Sequence, residues 1–193
     1  ALRKELNMPT DAIVIGIVGR LTGVKNHEMF IMAAKEIKMM NPARGIKFLI
    51  VGDGELKADL VRLARNIGVY GDLVFTGWRK DIDALYKVMD IVTLTSLNEG
   101  TPVSIIEAMA SERPVVVTDV GGVRDIVEDG KSGLIVPSQD IEAFVRAVTT
   151  LIDDKTKREK FGKYGREYVV RCHSKKQLVD AIKELYHKEL EVK

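Results

Sequence analysis

The segment AIVIGIVGRLTGVKN, residues 12–26, contains the two features that decide the predicted fold. Its first part, Ala12–Val18, is almost continuously apolar, which is typical of a strand in a parallel sheet covered on both faces. The loop that follows, Gly19–Asn26, holds two glycines and the cations Arg20 and Lys25. Ligands of open parallel sheets bind beyond the carboxyl ends of the strands, so this loop is the first candidate for a ligand contact.

Apolar strand-like runs and amphipathic helix-like stretches alternate along the rest of the chain, which predicts right-handed β–α–β units. After Asp153 the pattern is entirely helical. The sequence therefore predicts an α/β fold: a Rossmann-like, open, parallel six-stranded sheet with helices on both faces, plus C-terminal helices. The other predicted strands are Lys47–Val51, Leu73–Thr76, Ile91–Thr95, Pro114–Thr118 and Leu134–Val136. The predicted helices are an apolar stripe from Phe30 to Met40, then Leu56–Ile67, Ile82–Met89, Val103–Ser111, Val123–Glu128, Ile141–Ile152, Lys155–Val170 and Lys175–Leu190.

Composition indicates one globular domain with no strong charge bias. The 193 residues are 46% hydrophobic and 30% charged, with a formal net charge of +2, which gives no sign of a nucleic-acid partner. The single cysteine, Cys172, excludes an internal disulfide, fits a cytoplasmic location, and is expected to be at least partly buried. No apolar run approaches the roughly 20 residues of a membrane helix.

The first residues predict the tail of a helix followed by a turn at Met8–Asp11, so we expect a piece of a longer protein. The predicted organisation is one domain, 1–193, in which 1–11 ends an interdomain linker and 155–193 forms C-terminal helices. If the last helix packs against a missing N-terminal domain, its apolar residues Leu178, Ile182 and Leu185 are expected to be partly exposed.

A second loop, Asn98–Glu107, leads from an apolar strand into a helix. Pro102 suits the first helical position and Thr101 the N-cap, which leaves backbone N–H groups facing the crevice, where they attract phosphate. Glu107 lies about 7 Å further along the axis, a suitable distance for ribose hydroxyls, and Glu99 precedes the turn, where it can accept from sugar hydroxyls. Either glutamate alone is better explained as a surface residue, whereas their combination with the Gly–x–Pro turn indicates a site.

The cations of the first loop suit a diphosphate, because Arg20 offers a planar fork of donors and Lys25 a mobile charge. A solvated basic loop is the better explanation of these two charges alone, and their position at the end of a strand makes the two explanations equally good. The glycines do not match the G-x-G-x-x-G dinucleotide fingerprint, and the chain has no P-loop.

The order and spacing of several such segments resemble the C-terminal, donor-binding domain of the family-4 (GT4) glycosyltransferases, which are retaining enzymes of the GT-B fold. The resemblance covers Ala12–Leu190. It differs from the family pattern at Asn26, where a glycine commonly follows the lysine. The segments that carry it are Val18–Leu21 with Lys25, Ile50–Gly54, Phe75–Trp78, Glu99–Gly100 with Pro102, Glu107–Ala110, Pro114–Val116 with Gly121–Gly122, and Gly133–Pro137.

The resemblance implies a metal-free site that binds a nucleotide diphosphate sugar, with a UDP-sugar favoured over a GDP-sugar and no further cofactor. Arg20 and Lys25 are implied to stabilise the departing diphosphate, Glu99 to contact the transferred sugar and Glu107 the ribose. Trp78 is implied to lie by the base, although a lone tryptophan is more often a packing residue. The implied catalytic residues are Glu99, Arg20 and Lys25, and the implied donor contacts are Gly19, Arg20, Lys25, Gly77, Trp78, Glu99, Gly100, Thr101, Pro102, Val103 and Glu107.

The resemblance also implies that the acceptor-binding N-terminal half is absent. We therefore expect the isolated chain to bind nucleotide without transferring sugar, and any membrane contact to run through the absent half. The alternatives are a nucleotide-sugar epimerase or phosphorylase of the same fold, and a nucleotide-binding domain without catalysis. A nicotinamide dehydrogenase is least favoured, because the fingerprint is missing.

Overall fold

A computed structural model describes residues 2–173 and 175–191. The ends of the predicted 1–193 domain, and position 174 within the predicted helical segment 155–193, lie outside the described residues. The six predicted strands form one parallel sheet in the order β3-β2-β1-β4-β5-β6, which confirms the predicted fold class. The strands are β1 Ile13–Val18, β2 Ile46–Val51, β3 Leu73–Gly77, β4 Ile91–Leu94, β5 Val115–Thr118 and β6 Gly133–Val136.

Eight α-helices lie in the described part of the chain. A short helix of four residues precedes the first strand, and the last two helices follow the sheet as the sequence predicts. None of the described helices combines the length and apolarity that crossing a membrane requires. The helices are α1 Leu2–Glu5, α2 His27–Met40, α3 Lys57–Asn66, α4 Ile82–Val88, α5 Val103–Ala110, α6 Ile141–Asp153, α7 Lys155–Cys172 and α8 Lys175–Glu191.

The apolar core has two layers, one on each face of the sheet. Helices α2, α3 and α6 bury residues such as Phe30 and Phe144 against one face. Helices α4, α5 and α7 bury residues such as Tyr86 and Met109 against the other. The strand order reverses between β1 and β4, so these neighbouring strands send the chain to opposite faces. This reversal is the place where open α/β sheets hold their ligands.

The predicted helix Val123–Glu128 is wrong. The segment is instead a 3₁₀ turn, Gly121–Asp125. Val123, Ile126 and Val127 are buried at helical spacing, which explains the prediction. The helix does not continue because the N–H of Glu128 donates to the Ser132 hydroxyl at 3.0 Å.

Two expectations about exposure have different outcomes. Cys172 is exposed rather than buried, because it ends α7 on the side turned away from the core. On α8, Ile182 and Leu185 are exposed, as expected. The side chain of Leu178 lies outside the described residues.

Candidate functional site

Two of the predicted site residues meet in an ion pair where β1 and β4 end. Lys25 Nζ lies 2.6 Å from Glu99 Oε1. The two loops are also joined through their backbones, because the Leu97 N–H donates to the Val24 carbonyl at 2.8 Å. The hydroxyl of Thr95, at the end of β4, donates to the carbonyls of Lys25 and Asn26 at 3.1 and 2.9 Å. The first loop is therefore fastened to the second at both ends of the Lys25 side chain.

The buried Ser96 fixes the Glu99 carboxylate by a hydrogen bond from its hydroxyl. Its hydroxyl donates to Glu99 Oε1 at 2.6 Å, and its own carbonyl accepts from the Thr118 hydroxyl at 2.7 Å. Ser96 is fully buried, and the Glu99 side chain is only 7% exposed. The sequence reasoning missed Ser96 and Thr95. The available signal was a pair of hydroxyl residues at the end of an apolar strand, with Ser96 three positions before Glu99.

Asn26, the departure from the family pattern, occupies a left-handed backbone conformation with φ 48° and ψ 48°. Glycine adopts this conformation most easily, and asparagine tolerates it better than most residues. Its side chain also accepts a hydrogen bond from the Met29 N–H at 3.4 Å, so it caps α2. The substitution therefore keeps the loop path that places Lys25.

Helix α5 begins at Val103, as the predicted range Val103–Ser111 has it, but its cap lies one residue after the predicted one. Pro102, with φ −74° and ψ 88°, is the N-cap, and Val103 is the first helical residue, so Thr101 is not the cap. The reason is that Pro102 has a non-helical ψ while its carbonyl already accepts from the N–H groups of Ile105 and Ile106, so it takes the cap position without a side-chain cap bond. Among the described residues, none accepts from the N–H groups of Val103 and Ser104. These donors remain free at the helix start, where an anion is favoured.

Glu107 is exposed on α5 and is oriented by a buried tyrosine. The Tyr86 hydroxyl lies 3.0 Å from Glu107 Oε2 and 3.0 Å from the Ser104 carbonyl. Burial, and then the Glu107 charge, hold the pKa of Tyr86 well above its usual range. The hydroxyl therefore keeps its proton and donates a hydrogen bond to Glu107 Oε2, which leaves Glu107 Oε1 open to a ligand.

Arg20 lines an open cavity of about 280 Å³ together with Trp78 and Gly19. Trp78 is 70% exposed, so it is not part of the apolar core of the described residues. Lys25 methylenes lie about 3.8 Å from the Cβ position of Gly19, which connects this cavity to the Lys25–Glu99 pair. Gly77 is bonded to the cavity residue Gly52, because its carbonyl accepts from the Gly52 N–H at 3.1 Å.

The Gly121–Gly122 pair packs directly on the loop that carries Glu99. The Gly122 N–H donates to the Glu99 carbonyl at 3.1 Å. A Cβ on Gly121 would lie 1.8 Å from that carbonyl oxygen, and a Cβ on Gly122 would lie 2.2 Å from the oxygen of Gly100. Only glycines allow this approach, which gives a physical reason for two residues that the sequence reasoning had assigned no role.

His27, the first residue of α2, is buried directly after the first loop, Gly19–Asn26. Both of its ring nitrogens lack a hydrogen-bond partner among the described residues. Burial, and then the charge of Lys25, lower the pKa of His27 to about 4, so the imidazole is neutral at pH 7. Within residues 2–173 and 175–191, no group of three or more His, Cys, Asp or Glu side chains is placed to hold a metal ion.

The chain as a whole matches a known family. The family model described as "Glycosyl transferases group 1" matches residues 1–168. The UDP-Gal:alpha-D-GlcNAc-diphosphoundecaprenol alpha-1,3-galactosyltransferase of Escherichia coli is 34% identical over 184 residues, which are 95% of this chain and 47% of that protein. The chain spans about half the length of the curated relatives it matches.

Solved structures agree in fold. The C-terminal domain of the group 1 glycosyl transferase LpcC from Francisella tularensis has a TM-score of 0.80 and 25% identity, and the match covers 89% of this chain and 91% of that one. HepE from Anabaena in complex with UDP has a TM-score of 0.86 at 24% identity, with 100% of this chain and 52% of that one covered.

Proposed function

Since the chain belongs to the group 1 glycosyl transferases, we propose that it is the donor-binding half of a GT4-type retaining transferase. In this proposal the whole protein transfers a sugar from a nucleotide diphosphate sugar to an acceptor. The observation that carries it is the pairing of Lys25 with Glu99 at 2.6 Å, next to a helix start with free N–H groups. A cation, free backbone donors and a carboxylate thus meet within one loop pair.

The diphosphate is bound by Arg20, Lys25 and the N–H groups of Val103 and Ser104. Arg20 is exposed and free to turn toward phosphate, and the Lys25 stem lies over Gly19 beside it. The backbone of Gly100–Val103, with Thr101 and Pro102, supplies the turn that brings the sugar and phosphate to the helix start. Both cations belong to a loop whose backbone the buried Thr95 holds at Lys25 and Asn26, so the path of the loop is set before the ligand arrives.

The nucleoside extends away from the phosphates along α5. Glu107, oriented by Tyr86, accepts from the ribose hydroxyls. Trp78, 70% exposed at the rim of the Arg20 cavity, together with Gly77, lies by the base. A uridine nucleotide is favoured, because the Escherichia coli relative is named for a UDP-Gal donor and the Anabaena neighbour contains UDP.

The reaction breaks the bond between the anomeric carbon and a phosphate oxygen. Negative charge grows on the leaving diphosphate, where Arg20, Lys25 and the α5 start stabilise it without a metal ion. Positive charge grows on the sugar, which Glu99 positions and faces with a carboxylate. Retention of the anomeric configuration follows the family resemblance.

The acceptor site belongs to the other half of the parent protein. The chain spans about half of its curated relatives, so we propose that it binds the nucleotide but transfers no sugar alone. The parent is proposed to act in the cytoplasm, and any membrane contact is proposed to run through the other half.

Titration calorimetry of the chain with UDP, GDP and ADP tests this function. We expect heat with at least one nucleoside diphosphate, and most with UDP. A folded sample that gives no heat with any of the three refutes the donor site.

Alanine variants then test the contacts. Each of Arg20→Ala and Lys25→Ala removes one charged contact to phosphate, worth about 1.5–3 kcal/mol, and should weaken UDP binding roughly tenfold or more. Uridine binding should stay unchanged. Lys87→Ala is the matched control, because it also removes a cation. Lys87 lies in the last turn of α4, which leads into β4 and so lies near the amino ends of the strands, away from the candidate site. Equal losses for UDP and uridine would mean that the two side chains do not face the phosphates.

A further inference from the structure

We propose that Glu99 competes with the donor diphosphate for Lys25, so that binding the donor and freeing Glu99 for the sugar are one exchange of partners. The inference rests on the proposed function and concerns how the same site changes on binding.

Without a ligand, one carboxylate oxygen carries both of the contacts that hold it. Glu99 Oε1 accepts from Lys25 Nζ and from Ser96 Oγ, each at 2.6 Å. The pair is partly shielded from water, because the Glu99 side chain is 7% exposed and that of Lys25 27%. A charge pair at this depth is screened less than a surface pair.

A single ammonium group has three N–H donors but only one positive charge to share between the two anions. A diphosphate carries more charge than one carboxylate and so draws the ammonium away from Glu99. Thr95 fixes only the backbone of Lys25, and its methylenes run about 3.8 Å from the Cβ position of Gly19, where no side chain blocks their movement. The carboxylate stays in place, because Ser96 is buried and bound to Thr118.

The exchange favours the donor over the product. A carboxylate that is nearly buried and has lost its cation is costly unless new donors replace it. The hydroxyls of a bound sugar supply such donors, whereas a nucleoside diphosphate alone does not. After transfer, the Lys25–Glu99 pair re-forms as the nucleoside diphosphate leaves, so the pair assists product release.

A double-mutant cycle on UDP affinity, measured by calorimetry, tests the competition. Glu99→Gln keeps the shape and the Ser96 contact but removes the charge that holds Lys25. Glu99→Gln should bind UDP about fivefold more tightly than the wild type, the size expected for one partly exposed ion pair. In the Lys25→Ala background the same substitution should leave UDP affinity unchanged. Glu99→Ala should show the same pattern if Glu99→Gln proves unstable.

Glu28→Gln is the matched control, because it removes an exposed carboxylate three residues from Lys25. It should change UDP affinity by less than about twofold, since solvent screens it. The inference is overturned if Glu99→Gln binds UDP no more tightly than wild type, if the gain persists without Lys25, or if Glu28→Gln gives the same gain. Those results leave the proposed function standing, whereas a wild-type chain that binds none of UDP, GDP and ADP overturns both.

Discussion

Adding one methyl group at Gly121 or Gly122 should disturb nucleotide binding without touching a ligand-binding side chain. Gly121 has φ 49°, and its Cβ would lie 1.8 Å from the Glu99 carbonyl oxygen. Gly122 has an ordinary φ of −79°, and its Cβ would lie 2.2 Å from the Gly100 oxygen. Gly130 has φ 74° with open space around it. Alanine at these three sites separates backbone strain from collision.

The expected free energies follow from these geometries. Gly130→Ala costs only the left-handed conformation, about 1–2 kcal/mol of unfolding free energy. Gly122→Ala costs the collision, which pushes the turn away from the Glu99 loop and breaks the Gly122–Glu99 hydrogen bond, worth about 0.5–1.5 kcal/mol. Gly121→Ala costs both and should be the least stable.

Urea unfolding followed by circular dichroism measures these stabilities, and calorimetry measures UDP affinity. Gly130→Ala should bind UDP as the wild type does, while Gly122→Ala and Gly121→Ala should bind it at least about tenfold more weakly, because the Glu99 loop and the start of α5 are displaced together. The packing of this turn does not position the site if Gly122→Ala binds UDP with wild-type affinity.

Three further substitutions have defined outcomes. His27 stays neutral in the folded protein down to about pH 4, whereas in the unfolded chain it takes up a proton near pH 6.5. The wild type should therefore lose up to about 3 kcal/mol of unfolding free energy as the pH falls from 6.5 to 4. In urea unfolding at several pH values, His27→Leu should lack this loss, and parallel pH curves for the two proteins would contradict the prediction. Tyr86→Phe removes the hydroxyl that orients Glu107 and should cost about 1 kcal/mol of stability and weaken uridine binding but not pyrophosphate binding, as calorimetry with both ligands will show; an unchanged uridine affinity would separate Glu107 from the ribose. Asn26→Gly should stay within a few tenths of a kcal/mol of the wild type, whereas Asn26→Ala, which loses the cap and strains the left-handed residue, should lose about 1–2 kcal/mol in the same unfolding assay; the reverse order would exclude backbone conformation as the cause.

The sequence predicted the sheet well, because buried parallel strands are written as continuous apolar runs such as Ala12–Val18. It placed the loops of the candidate site for the same reason, since each follows a strand end. It could not predict the partner of Lys25, because ion pairs between distant loops depend on strand order, which periodicity does not encode.

The errors also have local physical causes. The Val123–Glu128 prediction failed because burial at helical spacing also fits a single tight turn that a serine side chain closes. The cap of α5 moved by one residue because the tight Gly–x–Pro turn there places proline just before the helix. The exposure of Cys172 depends on how α7 lies on α5, which composition does not reveal.

The adjacent strands β1 and β4 lead in different directions at their carboxyl ends. The chain continues from β1 into the helix layer on one face of the sheet and from β4 into the helix layer on the other face. A ligand that contacts the ends of both strands would therefore connect the two helix layers through the sheet. Its binding would stabilise both helix layers at once. At a free ligand concentration one hundred times Kd, the free energy of unfolding would rise by about 2.7 kcal/mol. Holding a ligand and holding the domain together would then be a single property of this junction.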